Sequence, residues 1–283
     1  MELFFKENWC IFFLILAIFL GVMLMIKEYK NGDEFLKENL SYLELNPYMT
    51  SLIIVDALAL KEISKSNYAL KIEEDNQKLL AIRVESFPLL FYGEEKLLSK
   101  LLEYIDKNEY IYDGIFTSTK IGDELLRLNM GYYKDIGMDF MIADSIFEPS
   151  SNNVITPSLS DLDEIYKNTI EFVKDCGLHD KIYKEKIQEK LDHYRVIKVG
   201  NEIVSMASYS IESKDSLRIT HVYTKKEYRG LKYARMVVNT LKNEIISMGY
   251  KATLNVDEKN PISYHLYTSL GFKRMFSQAI YLK

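Results

Sequence analysis

The sequence predicts an α+β fold of mixed α/β character, in two domains that follow an apolar N-terminal helix. Three observations lead to this fold class. Short β-rich runs alternate with amphipathic runs of helical spacing through most of the chain. A turn-forming segment, Pro149–Asn153, interrupts them near the middle. The eighteen residues Trp9–Ile26 carry no charge. We therefore expect an apolar segment at 1–30, a first domain at 31–148 and a second domain at 149–283.

Composition limits the classes of function and the kinds of site. Hydrophobic residues make up 48% of the chain and charged residues 27%, which is enough for apolar cores. The formal net charge of −5 supplies no basic field, so we expect no nucleic-acid partner. Cys10 and Cys176 lie far apart and the four histidines are scattered. This pattern predicts no disulfide framework, a reducing compartment and no metal site. It leaves the oligomeric state open.

The apolar run Trp9–Ile26 predicts a single membrane anchor. As a helix its eighteen residues would extend about 27 Å, close to the hydrocarbon thickness of a bilayer. Lys27 and Lys30 follow the run and favour a catalytic part on the cytoplasmic side. Two other interpretations stay open, namely a buried helix, or a start codon placed too far upstream, because Met23 and Met25 lie in frame. The expected localisation is cytoplasmic, with or without this anchor.

The first domain has the pattern of a small sheet with helices. Residues 34–63 have helical spacing that is interrupted at Pro47. Strands are predicted at Tyr68–Ile72, Leu79–Arg83, Pro88–Tyr92, Tyr110–Phe116 and Met138–Ile142. Helices are predicted at Lys96–Lys107 and Lys120–Leu128.

The second domain shows a new alternation of helices and strands. Ser160 and Asp161 cap a helix that continues through Val173, and Gly200-Asn201 is typical of a hairpin turn. Strands are predicted at Val154–Thr156, Tyr194–Val199, Glu202–Ile211, Leu217–Thr224, Ala252–Val256 and Phe276–Leu282. Further helices are predicted at Tyr183–Leu191, Tyr233–Met248 and Pro261–Leu270.

The turn Tyr228–Ala234, between a predicted strand and a predicted helix, is the most informative segment. The first turn of a helix presents unpaired backbone N–H groups, and the helix dipole adds positive potential there. Such a helix start binds phosphate groups. Arg229 and Lys232 add positive charge. By itself the turn predicts only an anion at a helix N-terminus, and an ordinary helix start is the other interpretation.

Downstream of this turn lie Asn260 and the sequence LYTSLGF, Leu266–Phe272. In this order the segments closely resemble the GNAT superfamily of acyl-CoA N-acyltransferases, over about residues 150–283. The matching residues are Arg229, Gly230, Ala234, Asn260, Tyr267, Gly271 and Phe272. One position departs from the pattern, because Lys232 stands where the family has its central glycine. A side chain there would either crowd the pyrophosphate or contact it.

The resemblance implies a central mixed sheet flanked by helices, with acetyl-CoA as co-substrate and no metal. The pantetheine arm would lie along the strand end Val222, Tyr223 and Thr224. The pyrophosphate would lie against the turn residues Arg229, Gly230, Leu231, Lys232, Tyr233 and Ala234. Asn260 would hydrogen-bond the pantetheine arm, cap the following helix, or both.

The resemblance also implies direct transfer of an acetyl group to a primary amine of a small molecule or protein. Backbone N–H groups near Val222 would polarise the thioester carbonyl. Tyr267 would protonate the leaving thiolate, and a core tyrosine is its other interpretation. His221 is the candidate base, although strand alternation places its side chain opposite that of Val222. Leu217 stands where some members carry a carboxylate base.

Several alternatives stay open. The first domain carries no comparable basic turn, and it is either a degenerate, non-catalytic half, as in tandem members, or an unrelated α+β domain. Instead of an enzyme, the chain could be a non-catalytic acyl-CoA-binding or assembly module, and an aminoacyl donor is a third alternative. Glu171, Asp175 and Glu202 are either acceptor-site residues or solvated surface charges.

Overall fold

The computed structural model of the chain describes residues 24–177 and 181–283. The described residues form two compact units. The first contains the described residues up to Gly137 together with Gln278–Lys283, and the second is Met138–Ser277. This division groups residues by their contacts, and the predicted domain boundaries stay predictions.

The helices and strands alternate along the whole described chain. In chain order the strands are β1 (Met25–Glu28), β2 (Tyr68–Glu74), β3 (Gln77–Arg83), β4 (Leu89–Gly93), β5 (Ile115–Ser118), β6 (Tyr133–Ala143), β7 (Tyr194–Val199), β8 (Glu202–Ser213), β9 (Ser216–Thr224), β10 (Lys251–Asp257) and β11 (Lys273–Leu282). The helices are α1 (Gly32–Leu43), α2 (Pro47–Ala59), α3 (Leu98–Lys107), α4 (Thr119–Arg127), α5 (Leu162–Asp175), α6 (Lys184–Glu189), α7 (Tyr233–Ser247) and α8 (Pro261–Ser269).

The sheet of the first unit has helices on both faces. Its strand order is β1-β2-β3-β4-β5-β11, in which β4 and β5 are parallel and the other neighbours are antiparallel. Along β3, Leu79 and Ala81 pack against α3 and α4, while Leu80 and Ile82 pack against α1 and α2. Because both faces are covered, the central strands are almost continuous apolar runs.

The second unit follows the same plan. Its strand order is β11-β6-β10-β9-β8-β7, in which β9 and β10 are parallel. Val204 and Ala207 of β8 join a core with α7 and α8, whereas Ile203 and Met206 join a core with α5 and α6. These two cores lie on opposite faces of the sheet, and every predicted site residue belongs to this unit.

The two halves of the described chain repeat one order of elements. From β1 to β6, a strand is followed by two helices, three antiparallel strands, a helix, a strand, a helix and a final strand. The same order runs from a single bridge at Ile155 to β11. In each unit the strands before and after the third helix are parallel neighbours. This is the mixed sheet with flanking helices that the resemblance implied.

The prediction of an apolar N-terminal helix is wrong for its C-terminal end, which is the part that the structure describes. Met25–Glu28 forms β1, whose pairing with β2 satisfies the backbone in a sheet, and Ile26 packs against the first unit's core. Residues 1–30 are therefore not one helix. Residues 1–23, with most of the predicted run Trp9–Ile26, lie outside the described residues. Among the described residues, no helix has both the length and the apolar character needed to cross a membrane.

Two predicted strands are shorter in the structure. Of Tyr110–Phe116 only the end lies in β5, because the preceding tyrosines hydrogen-bond through their side chains, Tyr110 to Glu28 at 2.7 Å. Val154–Thr156 is reduced to a single bridge between Ile155 and Val196. In both places aromatic or β-branched residues raise the β propensity of a segment that tertiary contacts keep irregular.

Candidate functional site

The turn Tyr228–Ala234 lies between the end of β9 and the start of α7. β9 ends at Thr224, a 3₁₀ turn covers Lys226–Tyr228, and α7 begins at Tyr233. Within the described part of the chain, no side chain caps this start of α7. The first backbone N–H groups of α7, including that of Ala234, are thus available to an external acceptor such as a phosphate oxygen.

Gly230 and Lys232 give the turn its shape. Their φ angles are +83° and +64°, both in the left-handed region. A side chain with a Cβ makes this region unfavourable by about 1 kcal/mol, whereas glycine adopts it freely. The backbone therefore accounts for the glycine that the family pattern has at position 232. The Lys232 side chain, like that of neighbouring Leu231, is exposed.

Arg229 is held at the mouth of the turn by two contacts. Its Nε donates to the carbonyl oxygen of Thr224 at 3.0 Å, and its guanidinium pairs with Asp175 at 2.5 Å. Asp175 is the last residue of α5 and also lies 3.7 Å from Lys226. The carboxylate thus occupies one edge of the guanidinium, where a phosphate would compete with it.

β9 and β10 pair only near their beginnings. The last parallel partners are Arg218 and Thr253. Beyond them β9 continues to Thr224 beside β8, and β10 continues to Asp257 beside β6. A gap therefore opens between the two strands on the side where β9 leads into the turn. An extended chain lying along the end of β9 would meet backbone groups there that β10 does not pair.

A bulge in β9 sets the direction of two predicted site residues. His221 and Val222 lie opposite the single residue Ala207 of β8, and the φ of His221 is +51°. Val222 packs in the same core as Tyr267, whereas the ring of His221 stacks on that of Tyr194 on the other face. The bulge separates these two side chains across the sheet.

His221 lies in a buried polar and aromatic cluster. Its Nδ1 is 2.8 Å from the Ser208 hydroxyl and 3.2 Å from the Tyr194 hydroxyl, and Phe172 packs edge-on against its ring at 5.5 Å. Burial lowers the pKa of His221 to about 4, so the imidazole is neutral at pH 7. A neutral imidazole with this pKa can accept a proton, but only weakly.

Tyr267 lies on α8 and is 6% exposed. Its ring packs edge-on against Phe272 with centroids 6.0 Å apart, in the core that also contains Val222, Tyr228 and Tyr233. Burial raises the pKa of Tyr267, so its hydroxyl stays protonated through neutral and mildly alkaline pH. The location is compatible with both interpretations of this residue, a core tyrosine and a proton donor.

Asn260 acts as the cap of α8. Its Oδ1 accepts a hydrogen bond from the backbone N–H of Ser263 at 3.0 Å. The side-chain amide N–H groups can still donate to a ligand, because one oxygen alone makes the cap. The two roles that the sequence leaves open are thus compatible.

The strand end Val222–Thr224 divides between the two faces. Tyr223 is 7% exposed and belongs to the core with α5 and α6. The hydroxyl of Thr224 lies 2.9 Å from that of Ser205 on β8. Side chains of this segment are therefore engaged within the unit, and its backbone is the part that faces the gap with β10.

The two remaining acidic candidates are paired with lysines. Glu171 pairs with Lys174 at 2.7 Å on the surface of α5. Glu202 pairs with Lys225 at 2.7 Å and accepts a hydrogen bond from Tyr228 at 3.0 Å. These contacts favour the interpretation of both residues as surface charges over acceptor binding.

The sequence-based predictions included no side-chain partner for His221 or Arg229. Ser208 reaches His221 through the register of β8 on β9, which contains the bulge, and Tyr194 of β7 lies opposite Ser208. The hairpin signal at Gly200-Asn201 predicts only the β7–β8 pair. The acidic end of α5 was a visible signal for a partner of Arg229, since a carboxylate at a helix C-terminus is unfavourable without a cation nearby.

Comparisons with known sequences identify one family. Residues 159–272 match the family model described as the acetyltransferase (GNAT) family. This match contains the turn, the gap between β9 and β10, Asn260 and Tyr267. A comparison with curated proteins finds no significant match.

Solved structures share the fold over most of the chain. A GCN5-related N-acetyltransferase from Sphaerobacter thermophilus has a TM-score of 0.62 at 13% identity, covering 92% of this chain and 95% of that one. An acetyltransferase of the GNAT family from Colwellia psychrerythraea has a TM-score of 0.59 at 10% identity, covering 91% and 98%. A tandem GNAT protein from the clavulanic acid biosynthesis pathway has a TM-score of 0.53 at 10% identity, covering 92% and 98%. At these identities the likeness concerns the fold.

Proposed function

Residues 159–272 belong to the GNAT acetyltransferase family, and we propose that the chain transfers an acetyl group from acetyl-CoA to a primary amine. One observation carries this proposal. β9 separates from β10 directly before a turn whose backbone N–H groups are available to an anion. Acetyl-CoA combines an extended thioester arm with a pyrophosphate, so its two parts have adjacent places along β9 and at the start of α7.

The turn recognises the pyrophosphate through backbone and charge together. The N–H groups of Tyr233 and Ala234 donate to phosphate oxygens, and the small Ala234 side chain lets the pyrophosphate approach closely. The Arg229 side chain exchanges a hydrogen bond to Asp175 for one to a phosphate oxygen. Lys232 adds a second positive charge from an exposed position.

In the reaction, the amine nitrogen attacks the thioester carbonyl carbon, and the carbon–sulfur bond breaks as the amide forms. The developing oxyanion accepts hydrogen bonds from backbone N–H groups near Val222. The leaving thiolate takes a proton from the Tyr267 hydroxyl, and the tyrosinate is reprotonated from solvent. The excess proton on the amine nitrogen passes to a base. His221 serves this role through Nε2 when Nδ1 donates to Ser208, and water completes the path.

The first unit is proposed to be the non-catalytic half. β4 ends at Gly93, and Glu94, Glu95, Lys96 and Leu97 precede α3, so the corresponding turn carries two carboxylates and one lysine and is net acidic. A hydrogen bond from Lys120 lowers the pKa of Glu95, which keeps this carboxylate charged. Carboxylates at this point disfavour a pyrophosphate, whereas the turn Tyr228–Ala234 presents Arg229 and Lys232 to it. We therefore expect one acetyl-CoA site in each chain.

Turnover with simple amines tests the proposed reaction. The full chain is mixed with acetyl-CoA and a panel of primary amines, and the free thiol released is measured over time. We expect release that depends on both the enzyme and at least one amine. Saturable binding of acetyl-CoA without amine-dependent release from any member of a broad panel would instead favour the non-catalytic acyl-CoA-binding module.

Substitutions at Lys232 decide whether its side chain contacts or crowds the pyrophosphate. Lys232→Gly removes the left-handed strain and is expected to raise the free energy of unfolding by about 0.5–1 kcal/mol. Lys232→Glu keeps the strain, reverses the charge and is expected to weaken acetyl-CoA binding about ten-fold. Calorimetric titration measures the binding, and Lys190→Glu on an exposed end of α6 is the matched charge reversal. Tighter binding by both Lys232 variants would show that the lysine crowds the site.

A further inference from the structure

The first unit contains a cavity of about 250 Å³ that the proposed reaction does not use. It lies at the C-terminal end of α3, whereas the acidic turn after β4 lies at the N-terminal end of the same helix. Its lining combines three tyrosines with two carboxylates and a lysine, namely Asp106, Tyr110, Tyr112, Asp113, Tyr132 and Lys283. The volume is below that of typical drug-sized sites, so a ligand here is small.

A chain of hydroxyls in the lining ends at a carboxylate. The hydroxyls of Tyr112 and Tyr132 are 2.5 Å apart, and the Tyr112 hydroxyl lies 3.5 Å from Oδ1 of Asp106. When Tyr112 donates towards Asp106, Tyr132 donates to Tyr112, and lone pairs of the Tyr132 oxygen remain for another donor. The lining therefore offers acceptors and negative charge to a positively charged group.

The side chain of Lys283 already presents such a group to the cavity. Its ammonium nitrogen lies 5.3 Å from the centroid of the Tyr132 ring. An ammonium within about 6 Å of a tyrosine ring is attracted by the negative face of the ring. The wall of the cavity thus already holds the end of an alkylammonium chain against the Tyr132 ring, supplied by the protein itself.

A buried hydroxyl adjoins the lining. Tyr68 is 1% exposed, and its ring packs on that of Tyr110 with centroids 4.5 Å apart. In the described ranges, 24–177 and 181–283, the Tyr68 hydroxyl has no hydrogen-bond partner. The cavity is lined by Tyr110 and not by Tyr68, so Tyr68 supports the site through its ring contact with Tyr110.

We propose that this cavity binds the ammonium group of a small alkylamine, in the place that the Lys283 side chain takes in this structure. The rings of Tyr110 and Tyr132 contact the alkyl chain and the charge, and Asp106 with the Tyr132 hydroxyl accepts the N–H hydrogen bonds. Lys283 competes with the ligand, so removal of its side chain opens the site. This site is independent of the proposed acetyl transfer.

The test uses n-butylammonium, which has the length of the lysine side chain. The full-length variant Lys283→Ala is titrated with n-butylammonium chloride at constant ionic strength, and ligand-observed NMR measures the dissociation constant. n-Butanol is the neutral control of similar size. We expect n-butylammonium to bind Lys283→Ala about ten-fold more tightly than it binds the wild-type chain, and n-butanol to bind at least about ten-fold more weakly than the cation.

Second substitutions in the Lys283→Ala chain distinguish loss of the Tyr132 ring contact from general damage to the fold. Tyr132→Phe keeps the aromatic face but removes one accepting hydroxyl, and it is expected to weaken binding about three-fold. Tyr132→Leu is expected to lose about ten-fold, while Tyr133→Leu, at the exposed neighbouring position, changes little. Equal binding of n-butanol and n-butylammonium, equal affinity of wild type and Lys283→Ala, or no saturable binding to Lys283→Ala would each overturn the proposal.

Discussion

Tyr267→Phe is expected to lower kcat for acetyl transfer by about 10²- to 10⁴-fold, the range that a positioned general acid contributes. The substitution removes one hydroxyl from a side chain that is 6% exposed and keeps the ring contact with Phe272. The KM for acetyl-CoA should change little, because the turn and the gap along β9 are untouched. Steady-state measurements of thiol release with the best amine of the panel give both constants.

A matched control comes from the same helix. Tyr264 is half-buried on α8 and packs against the same core, so Tyr264→Phe removes an equivalent hydroxyl. We expect kcat of this variant to stay within about two-fold of wild type, since a hydroxyl outside the reaction contributes nothing to the barrier. A Tyr267→Phe enzyme with nearly full kcat would show that Tyr267 is a core tyrosine and that another group, or water, protonates the thiolate.

The pH dependence gives Tyr267 a second signature. Because burial raises the pKa of Tyr267, its hydroxyl remains a proton donor well into the alkaline range. The kcat of the wild-type enzyme should therefore show no loss assigned to this residue between pH 7 and about pH 10. A downturn of kcat within that range that disappears in Tyr267→Phe would contradict a raised pKa of Tyr267.

Asp56→Asn is expected to raise the free energy of unfolding by about 1–3 kcal/mol at pH 7.5. Asp56 lies on α2 and is 8% exposed. Burial raises its pKa from 3.8 to about 6. The charged form is therefore unfavourable in the folded state, and an uncharged amide of the same shape avoids this cost.

The size of this gain in the free energy of unfolding depends on pH in a defined way. The folded state holds the proton of Asp56 more tightly than the unfolded state, so stability falls as the pH rises from about 4 to about 6. Above pH 6 the full cost is present, and below pH 4 it vanishes. Urea unfolding at pH 3.5 and pH 7.5 should therefore show the gain for Asp56→Asn only at the higher pH.

Asp33→Asn on α1 is the control for Asp56→Asn. Its carboxylate is 75% exposed and lies 3.9 Å from Lys61, an arrangement that contributes little to stability. We expect its free energy of unfolding to stay within about 0.5 kcal/mol of wild type at both pH values. If Asp56→Asn destabilised the chain equally at both pH values, a contact of the carboxylate, rather than its burial, would control the effect.

Local signals predicted most of the element bounds of the second unit. The hairpin turn at Gly200-Asn201 joins β7 and β8 as expected, and Gly200 has a φ of +61° that suits such a turn. The long helix α7 was expected at Tyr233–Met248 and ends one residue earlier. These features depend on turn residues and on hydrophobic periodicity, which residues close in the sequence determine. The family match over residues 159–272 confirms the resemblance to the GNAT superfamily.

Long-range pairing could not be predicted in the same way. β11 completes the sheet of the first unit beside β5, although its sequence lies at the end of the chain. The bulge at His221 breaks the alternation that strand-face arguments rely on, and Met25–Glu28 continues an apolar run yet forms a strand. Each outcome depends on which distant strand supplies the partner, and no local propensity carries that information.

The backbone at Lys232 lies between these two cases. A family pattern with glycine at this position signals a left-handed residue, and the φ of +64° agrees with it. The glycine of the family pattern therefore indicates the backbone conformation at position 232. The direction of the Lys232 side chain, which bears on whether it crowds the pyrophosphate, comes only from the structure, where the side chain is exposed. The departure from the pattern has a small backbone cost and leaves the helix start available to phosphate.

The stoichiometry of acetyl-CoA binding tests the central claim most directly. Isothermal titration of the full chain with acetyl-CoA should give saturable binding of one molecule per chain, because among residues 24–177 and 181–283 only the second unit combines the strand gap with a basic turn. Arg229→Gln should weaken this binding without changing its stoichiometry. Two molecules per chain, or no saturable binding, would contradict the assignment of the cofactor site to the turn Tyr228–Ala234.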